Sequence, residues 1–307
     1  MRKEQDREFQ WIIFIFSFFI QSLTYATPLL LASLGELFSE RVGVINIGLE
    51  GLLLIGALTA VIVSTTTGSP AIGILAAMTT GIVTAALFAL FGVGMRRDQV
   101  IVGTTINFLA LGLTGVLYRA WTADGTKAVS APTIPPLFGN GGTAVNVVTL
   151  GALLLVPVAH WLLFRTRLGV TLRAAGEVPE AAAAAGTSVN RLRVHVCMVT
   201  GGLCGIGGAS LAIGISNTFT EGMTGGRGFI ALAVVIFGRW TPFGALGAAL
   251  LFAAADVAQA RMQAAGVFRI PYPIFLAVPY VLTLLALAIR GGRAKAPAAL
   301  GQPFEQG

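Results

Sequence analysis

GLLLIGALTAVIVSTTTGSPAIGILAAMTTGIVTAALFALFGVGM, residues 51–95, runs for 45 residues without an Asp, Glu, Lys or Arg. A helix of about 20 apolar residues crosses the roughly 30 Å hydrocarbon core of a bilayer, so this run is long enough to cross twice. The turn-forming cluster TTTGSP, Thr65 to Pro70, interrupts it. Two spans are therefore predicted, near 43–64 and 70–94. Further uncharged windows lie at 9–35, 99–118, 128–164, 194–220 and 270–289. Within 128–164 the stretch APTIPPLFGNGG (131–142) reads as loop, leaving a span at 147–164. The region 228–255 is broken at Arg239, Trp240, Thr241 and Pro242. An arginine at a helix centre costs about 2.5–3.5 kcal/mol, so Arg239 is placed at a membrane face and the region is divided into two short segments. The count is about nine segments, with eight to ten as its range.

Composition agrees. Of 307 residues 55% are hydrophobic and 11% charged, against roughly 25% charged in soluble domains, which excludes a water-soluble globule. The net charge of +7 is scattered between apolar runs and makes no basic face, so no nucleic acid is expected as a partner. Continuous apolar runs, without the alternation a barrel needs, exclude a β-barrel. The first run, 9–35, is too long for a signal-peptide core and lacks a clear cleavage site. The fold class is an all-α polytopic integral membrane protein, one transmembrane domain over 1–307.

The loop 165–193 carries Arg165, Arg167, Arg173, Arg191 and Arg193, which the positive-inside rule places in the cytoplasm. Counting outward from it, Arg96, Arg97, Arg239 and a flexible tail at 291–307 with Arg293 and Lys295 fall on the same side, and the N-terminus falls outside. Cys197 and Cys204 are seven residues apart, about 10 Å along a helix, too far to bridge. With His160 and His195 they offer no zinc-ligand spacing, and no metal site is expected.

Three stretches carry further information. In SLGELFSERVGVINIGLEGLLLIGA (33–57), Glu36, Glu40, Arg41 and Glu50 sit among apolar residues with Gly43, Gly48 and Gly51 between them. This reads either as a break between spans, with Asn46 and Glu50 facing the protein interior, or as an ordinary cytoplasmic turn. In RTRLGVTLRAAGEVPEAAAAAGTSVNRLRV (165–194), Pro179 suits a first helical turn, Glu180 the positive dipole end and Gly186 a C-terminal cap. A helix of about two turns is expected there, suited to docking into a groove on another protein; the alternative is a cytoplasmic loop whose arginines only set the topology. In 201–250, Gly201 with Gly205, Gly208 with Ala212, and Gly244 with Ala248 are small residues four apart that let helices approach closely. A polar-centred span, TTINFLALG (104–112), holds Asn107, which could bridge helices or contact a ligand.

SERVGVINIGLEG (39–51) resembles the signature of permease subunits of bacterial ABC importers of the branched-chain amino acid, ribose and nucleoside group. The likeness is nearest to the nucleoside and simple-sugar branch, which works with a basic membrane lipoprotein. The run around Gly176, Glu177, Pro179, Glu180, Ala181, Ala182 and Gly186 is similar to the coupling loop by which these permeases contact their ATPase, with Val178 where the family usually has Asn. TEGMTGGRGFIALAVVIFGRWTPFGA (220–245) is similar to the family's late segment, and the resemblance puts Glu221 and Arg227 at the outer mouth where a binding protein docks.

The resemblance implies an ABC importer permease in the bacterial cytoplasmic (inner) membrane, translocating a nucleoside or simple sugar, with Asn46, Glu50 and Asn107 as pathway candidates. Its implied partners are an ABC ATPase subunit, a second permease subunit, identical or different, and an outer solute-binding lipoprotein. None of the three lysines, Lys3, Lys127 and Lys295, follows a glycine, so a phosphate-binding loop is absent from the sequence. Energy is therefore expected from a partner or from an ion gradient; the resemblance implies ATP and Mg on the ATPase partner, with no cofactor on this chain. HExxH and GxSxG motifs are absent as well, and no enzyme activity is expected. The alternative is a secondary transporter or channel for a small polar solute that works without ATP.

Overall fold

The computed structural model describes residues 2–122, 129–139, 144–264 and 296–305, with side chains from 13 onward. Helix α1 (Arg2–Arg41) is followed by α2 (Leu49–Thr67), α3 (Pro70–Ala89) with a π turn at Leu90–Gly94, and α4 (Gln99–Trp121). A small antiparallel pair, β1 (Pro136–Phe138) and β2 (Val145–Asn146), leads into α5 (Val147–Arg165). Next come α6 (Arg167–Glu177), α7 (Pro179–Ala184) and α8 (Val189–Ala209), the last continued by a π segment Ser210–Ser216. The short α9 (Arg227–Phe237) and α10 (Pro242–Ala264) complete the helices.

Among the described residues seven helices are long and apolar enough to cross a membrane, and α9 is a shorter apolar helix. The expected segment 270–289, with Arg290, Arg293 and Lys295, lies outside the described residues, as does Lys127. The division of 228–255 into two segments holds, and the stretch at 131–139 is loop with one short strand.

Several boundaries differ from the expectation: α1 runs on past 35 to Arg41 and α10 past 255 to Ala264. The second span starts at Leu49 and not at 43, because Val44 to Asn46 are non-helical. The sixth starts at Val189 and not at 194, since Arg193 is 1% exposed and its guanidinium donates to the carbonyls of Val42 (3.1 Å) and Gln302 (2.8 Å). A buried arginine with carbonyl partners need not end a span.

Small residues set the packing. Helix α8 meets α2 and α3 through Gly201, Gly205 and Gly208. A Cβ on Gly205 would run into the Ala77 carbonyl of α3, and one on Gly56 would lie 2.7 Å from the Gly205 Cα. Helix backbones in membranes approach this closely only where side chains are absent. Gly244 serves differently. Its missing Cβ makes room for the Gly238 carbonyl within the turn between α9 and α10.

That turn is strained and held. Arg239 and Trp240 both have φ of 53°, a left-handed conformation that costs about 1–2 kcal/mol per non-glycine residue. Arg41 donates twice to the Trp240 carbonyl, at 3.0 and 2.7 Å, and the Trp240 indole N–H donates to the buried Glu40 carboxylate. Thus the charges at the end of α1 secure the exposed Arg239 at the end of the bundle that carries the basic loop. Trp240→Phe leaves Glu40 without this donor. A loss of about 1–3 kcal/mol, seen as a lowered thermal midpoint of the detergent-purified protein, is expected; an unchanged midpoint would show that the contact contributes nothing.

Candidate functional site

The stretch 33–57 forms a true break inside the bundle. Helix α1 runs through Glu36 and Glu40 to Arg41, the chain turns at Gly43 (φ 90°), and extended residues lead to α2. Extended backbone at membrane depth is tolerated only where its polar groups find partners in the protein. Here they do. The Ile45 N–H donates to the Gln99 side chain (2.9 Å), the Asn46 N–H to the Glu36 carboxylate (2.8 Å), and the Gly48 N–H to the Asn46 side chain (2.9 Å). Asn107, in the middle of α4, accepts from the Gly51 N–H (2.8 Å) and donates to the Ile47 carbonyl (2.9 Å).

Glu50 joins this break to a second helix start. Its two carboxylate oxygens accept the N–H groups of Gly226 (2.8 Å) and Gly228 (2.6 Å), the opening turn of α9. A carboxylate there satisfies unpaired donors and faces the positive end of the helix dipole. Helix α9 then runs from Gly228 to Phe237, about 14 Å, toward the Arg239 turn. Gly228 has to be glycine for a plain reason: a Cβ would overlap the Glu50 backbone. Two helix N-termini therefore abut in the interior of the bundle, one of them capped by the other's side chain. Discontinuous helices of this kind build binding sites in transporters.

The three pathway candidates are thus brought together around the start of α2, though not in equal positions. Asn46 is fully buried, whereas Glu50 and Asn107 are partly exposed. Glu221 pairs with Arg119 at 3.3 Å near the end of α4, both half-exposed. Arg227 is held apart from it, turned to Asp256 of α10 at 3.7 Å and to the carbonyls of Met223 and Thr224. At the end opposite the basic loop a cavity of about 400 Å³ is lined by Gln21, Thr24, Tyr25, Thr133, Ile134 and Asn217, none of them charged.

At the basic end, the loop 165–193 holds more helix than expected. Helix α6 buries Gly169, Leu172, Ala175 and Gly176 on one face. Helix α7 starts with Pro179 in its first turn and Glu180 near its N-terminus, and Gly186 follows it with φ of 87°. Pro179 and Ala182 face inward, while Glu177, Val178, Glu180, Ala181 and Gly186 are exposed. Gly176 is buried, its missing Cβ making room for the Arg41 carbonyl at the end of α1.

What the sequence did not show are the partnerships across the bundle: Gln99 with the break, Glu36 and Arg193, noted there only as charges, as its further partners, and Gly226 and Gly228 as the donors facing Glu50. The available signal was a buried-type carboxylate, Glu36, in an apolar run without a local basic partner four residues away.

A multi-pass bundle with a broken helix pair in its interior and an exposed helical knob at its basic end is the membrane-spanning part of a transporter. The chain belongs to the family described as branched-chain amino acid transport system / permease component, whose profile matches residues 18–287. It is 38% identical over 304 residues to the guanosine ABC transporter permease protein NupQ of Bacillus subtilis, covering 93% of this chain and 95% of that protein. It is 36% identical over 296 residues to the nucleoside ABC transporter permease protein NupC of Lactococcus lactis subsp. cremoris, covering 91% and 93%. To the putative glucose ABC transporter permease protein TsgC13 of Haloferax volcanii it is 37% identical over 247 residues, covering 78% and 75%. No solved structure matches the chain. Family and helices together make it a multi-pass protein of the inner membrane.

Proposed function

We propose that this chain is the membrane-spanning permease subunit of an ABC importer that carries a nucleoside or simple sugar, with ATP and Mg bound and hydrolysed on a separate ATPase subunit. The observation that carries the reading is α7, a six-residue helix with an exposed face at the basic end of the bundle. A helix this short is marginal alone, and seating in a partner's groove gives its exposed residues a use. The relatives named for guanosine, nucleosides and glucose support the substrate class. So does the uncharged lining of the 400 Å³ cavity, in which polar side chains such as Gln21, Thr24 and Asn217 are mixed with apolar ones such as Ile134, Pro136 and Ile215, a mixture that suits a neutral solute.

In this reading a second permease subunit, identical or different, completes the membrane part. An outer binding lipoprotein delivers solute near Glu221 and Arg119, while Arg227 acts internally through Asp256. Glu50 and Asn107 border the pathway and Asn46 supports them from behind. ATP binding closes the ATPase pair, α6 and α7 move with it, and the pathway opens toward the loaded binding protein.

The double variant Ala181→Arg with Ala184→Arg puts two bulky cations on the exposed face of α7 and leaves the buried Pro179 and Ala182 untouched. Loss of a central contact costs about 2 kcal/mol or more, so ATPase recovered on the purified permease should fall about thirtyfold, with membrane insertion unchanged. Undiminished recovery would refute the docking role.

A further inference from the structure

The tail expected to be flexible is, over residues 296–305, a packed segment. The Ala299 N–H donates to the Gly176 carbonyl (2.9 Å) and the Ala298 N–H to the Glu177 carboxylate (3.3 Å), both at the end of α6. Two residues on, the Gly301 N–H donates to the Gly43 carbonyl (3.0 Å), where the break begins, and Gly301 lies against Ile45. Farther along, the Gln302 and Phe304 carbonyls accept from Arg193 (2.8 Å) and Asn190 (3.4 Å) of α8, and the Glu305 carboxylate meets Arg96 at 2.9 Å beside the turn between α3 and α4. Ala299 and Phe304 are 5% and 7% exposed, so this is a seated segment and not a loose end lying on the surface.

Its path has a mechanical consequence. The end of α6, which leads directly into α7, and the start of the 43–48 break are both hydrogen-bonded to the same short stretch. Arg193 adds a second tie, since one buried guanidinium donates to Val42 just before the break and to Gln302 in the stretch. Val44–Asn46 are non-helical; this part of the break is held by the Ser39 carbonyl at the end of α1, which accepts from the Val44 N–H (2.8 Å), and by the side chains of Glu36 and Gln99. The 43–48 break ends two residues before Glu50. A displacement of α6 and α7 is therefore passed to this non-helical stretch, and from there to the junction of α2 with α9.

We propose that residues 296–305 form a positioning strap, clasped by Arg193, that links movement of the α6–α7 knob to the 43–48 break and so couples ATP hydrolysis to opening of the pathway. This deepens the importer reading and rests on it. The strap and Arg193 contact neither solute nor nucleotide.

The test uses the complete importer in proteoliposomes, with permease partner, ATPase and binding protein. The chain truncated after residue 295 and the Arg193→Lys variant are compared with the unaltered chain. Four quantities are measured: ATPase recovered with the permease, basal hydrolysis, the thermal midpoint, and solute moved per ATP. For the truncated chain the expected result is association and basal hydrolysis within about twofold of normal, with solute per ATP lower by about tenfold, in the range that coupling between sites commonly spans. A synthetic peptide of residues 296–305 should restore part of the loss, and Arg193→Lys, which retains the charge but not the two-carbonyl reach, should fall between. Unchanged solute per ATP with only a lower thermal midpoint would overturn the proposal, leaving a structural brace. Loss of ATPase association on truncation would overturn it too, since the strap would then be building the docking face. Should the unaltered chain capture no ATPase in the same preparation, the importer reading falls and takes the strap with it; if it couples and the truncated chain couples equally well, the strap alone falls.

Discussion

Transport should be nearly abolished in Glu50→Gln while the protein still inserts and assembles. The carboxylate uses one oxygen for the Gly226 N–H and the other for the Gly228 N–H. A glutamine side chain has a single acceptor oxygen, so one of the two N–H groups faces an NH₂ group instead, donor against donor. The loss combines one charge-assisted hydrogen bond, about 1.5–3 kcal/mol, with the charge–dipole attraction at the start of α9, about 0.3–1 kcal/mol. A total of about 3 kcal/mol corresponds to roughly a hundredfold shift away from the intact α2–α9 junction. Solute uptake by the reconstituted importer is the measurement. Glu50→Asp keeps both acceptors on a stem one methylene shorter and should retain partial uptake. Normal uptake by Glu50→Gln would show that the junction's polar cap is dispensable.

Gly205→Leu is expected to remove the folded protein from the membrane. Gly205 lies where α8 is pinned against α3 on one side and α2 on the other, and its missing Cβ leaves room for the Ala77 carbonyl. Overpacking a core costs about 1–3 kcal/mol when neighbouring side chains can shift. Here the neighbours are backbone, which cannot shift without moving whole helices, so the cost lies at or above the top of that range. The amount of monodisperse protein recovered in detergent checks this, against Val199→Leu on the same helix, where the side chain is 54% exposed and yield should be unaffected. Equal yields would mean that the three-helix contact is looser than its geometry.

The spans could be read along the chain because a bilayer demands long uncharged runs, and 51–95 meets that demand without help from any other segment. The extent of α7 was legible for a similarly local reason: Pro179 cannot be placed deep in a helix, and Gly186 accepts the left-handed turn that ends one. Helix α6 escaped notice because Arg165, Arg167 and Arg173 with Gly169 and Gly176 make the stretch read as a basic loop, although its apolar residues do recur on one face. The strap escaped too, since its alanines, glycine and prolines have no pattern until α6, α8 and the break supply a surface for them. Asn46, Glu50 and Asn107 were picked out as polar residues in apolar surroundings, but their partners Gly51, Gly226 and Gly228 are invisible as partners because a backbone N–H is common to nearly every residue.

The order of residues alone thus determined a many-spanned helical bundle with a basic end and a short helical knob, since apolar length, arginine placement and proline–glycine punctuation each act within a few residues. Where α2 begins, which carboxylate caps α9, and that residues 296–305 are seated were decided only by the folded bundle. Each depends on a hydrogen bond between segments far apart in the chain, and in an apolar medium an unpaired backbone group costs enough to decide such placements.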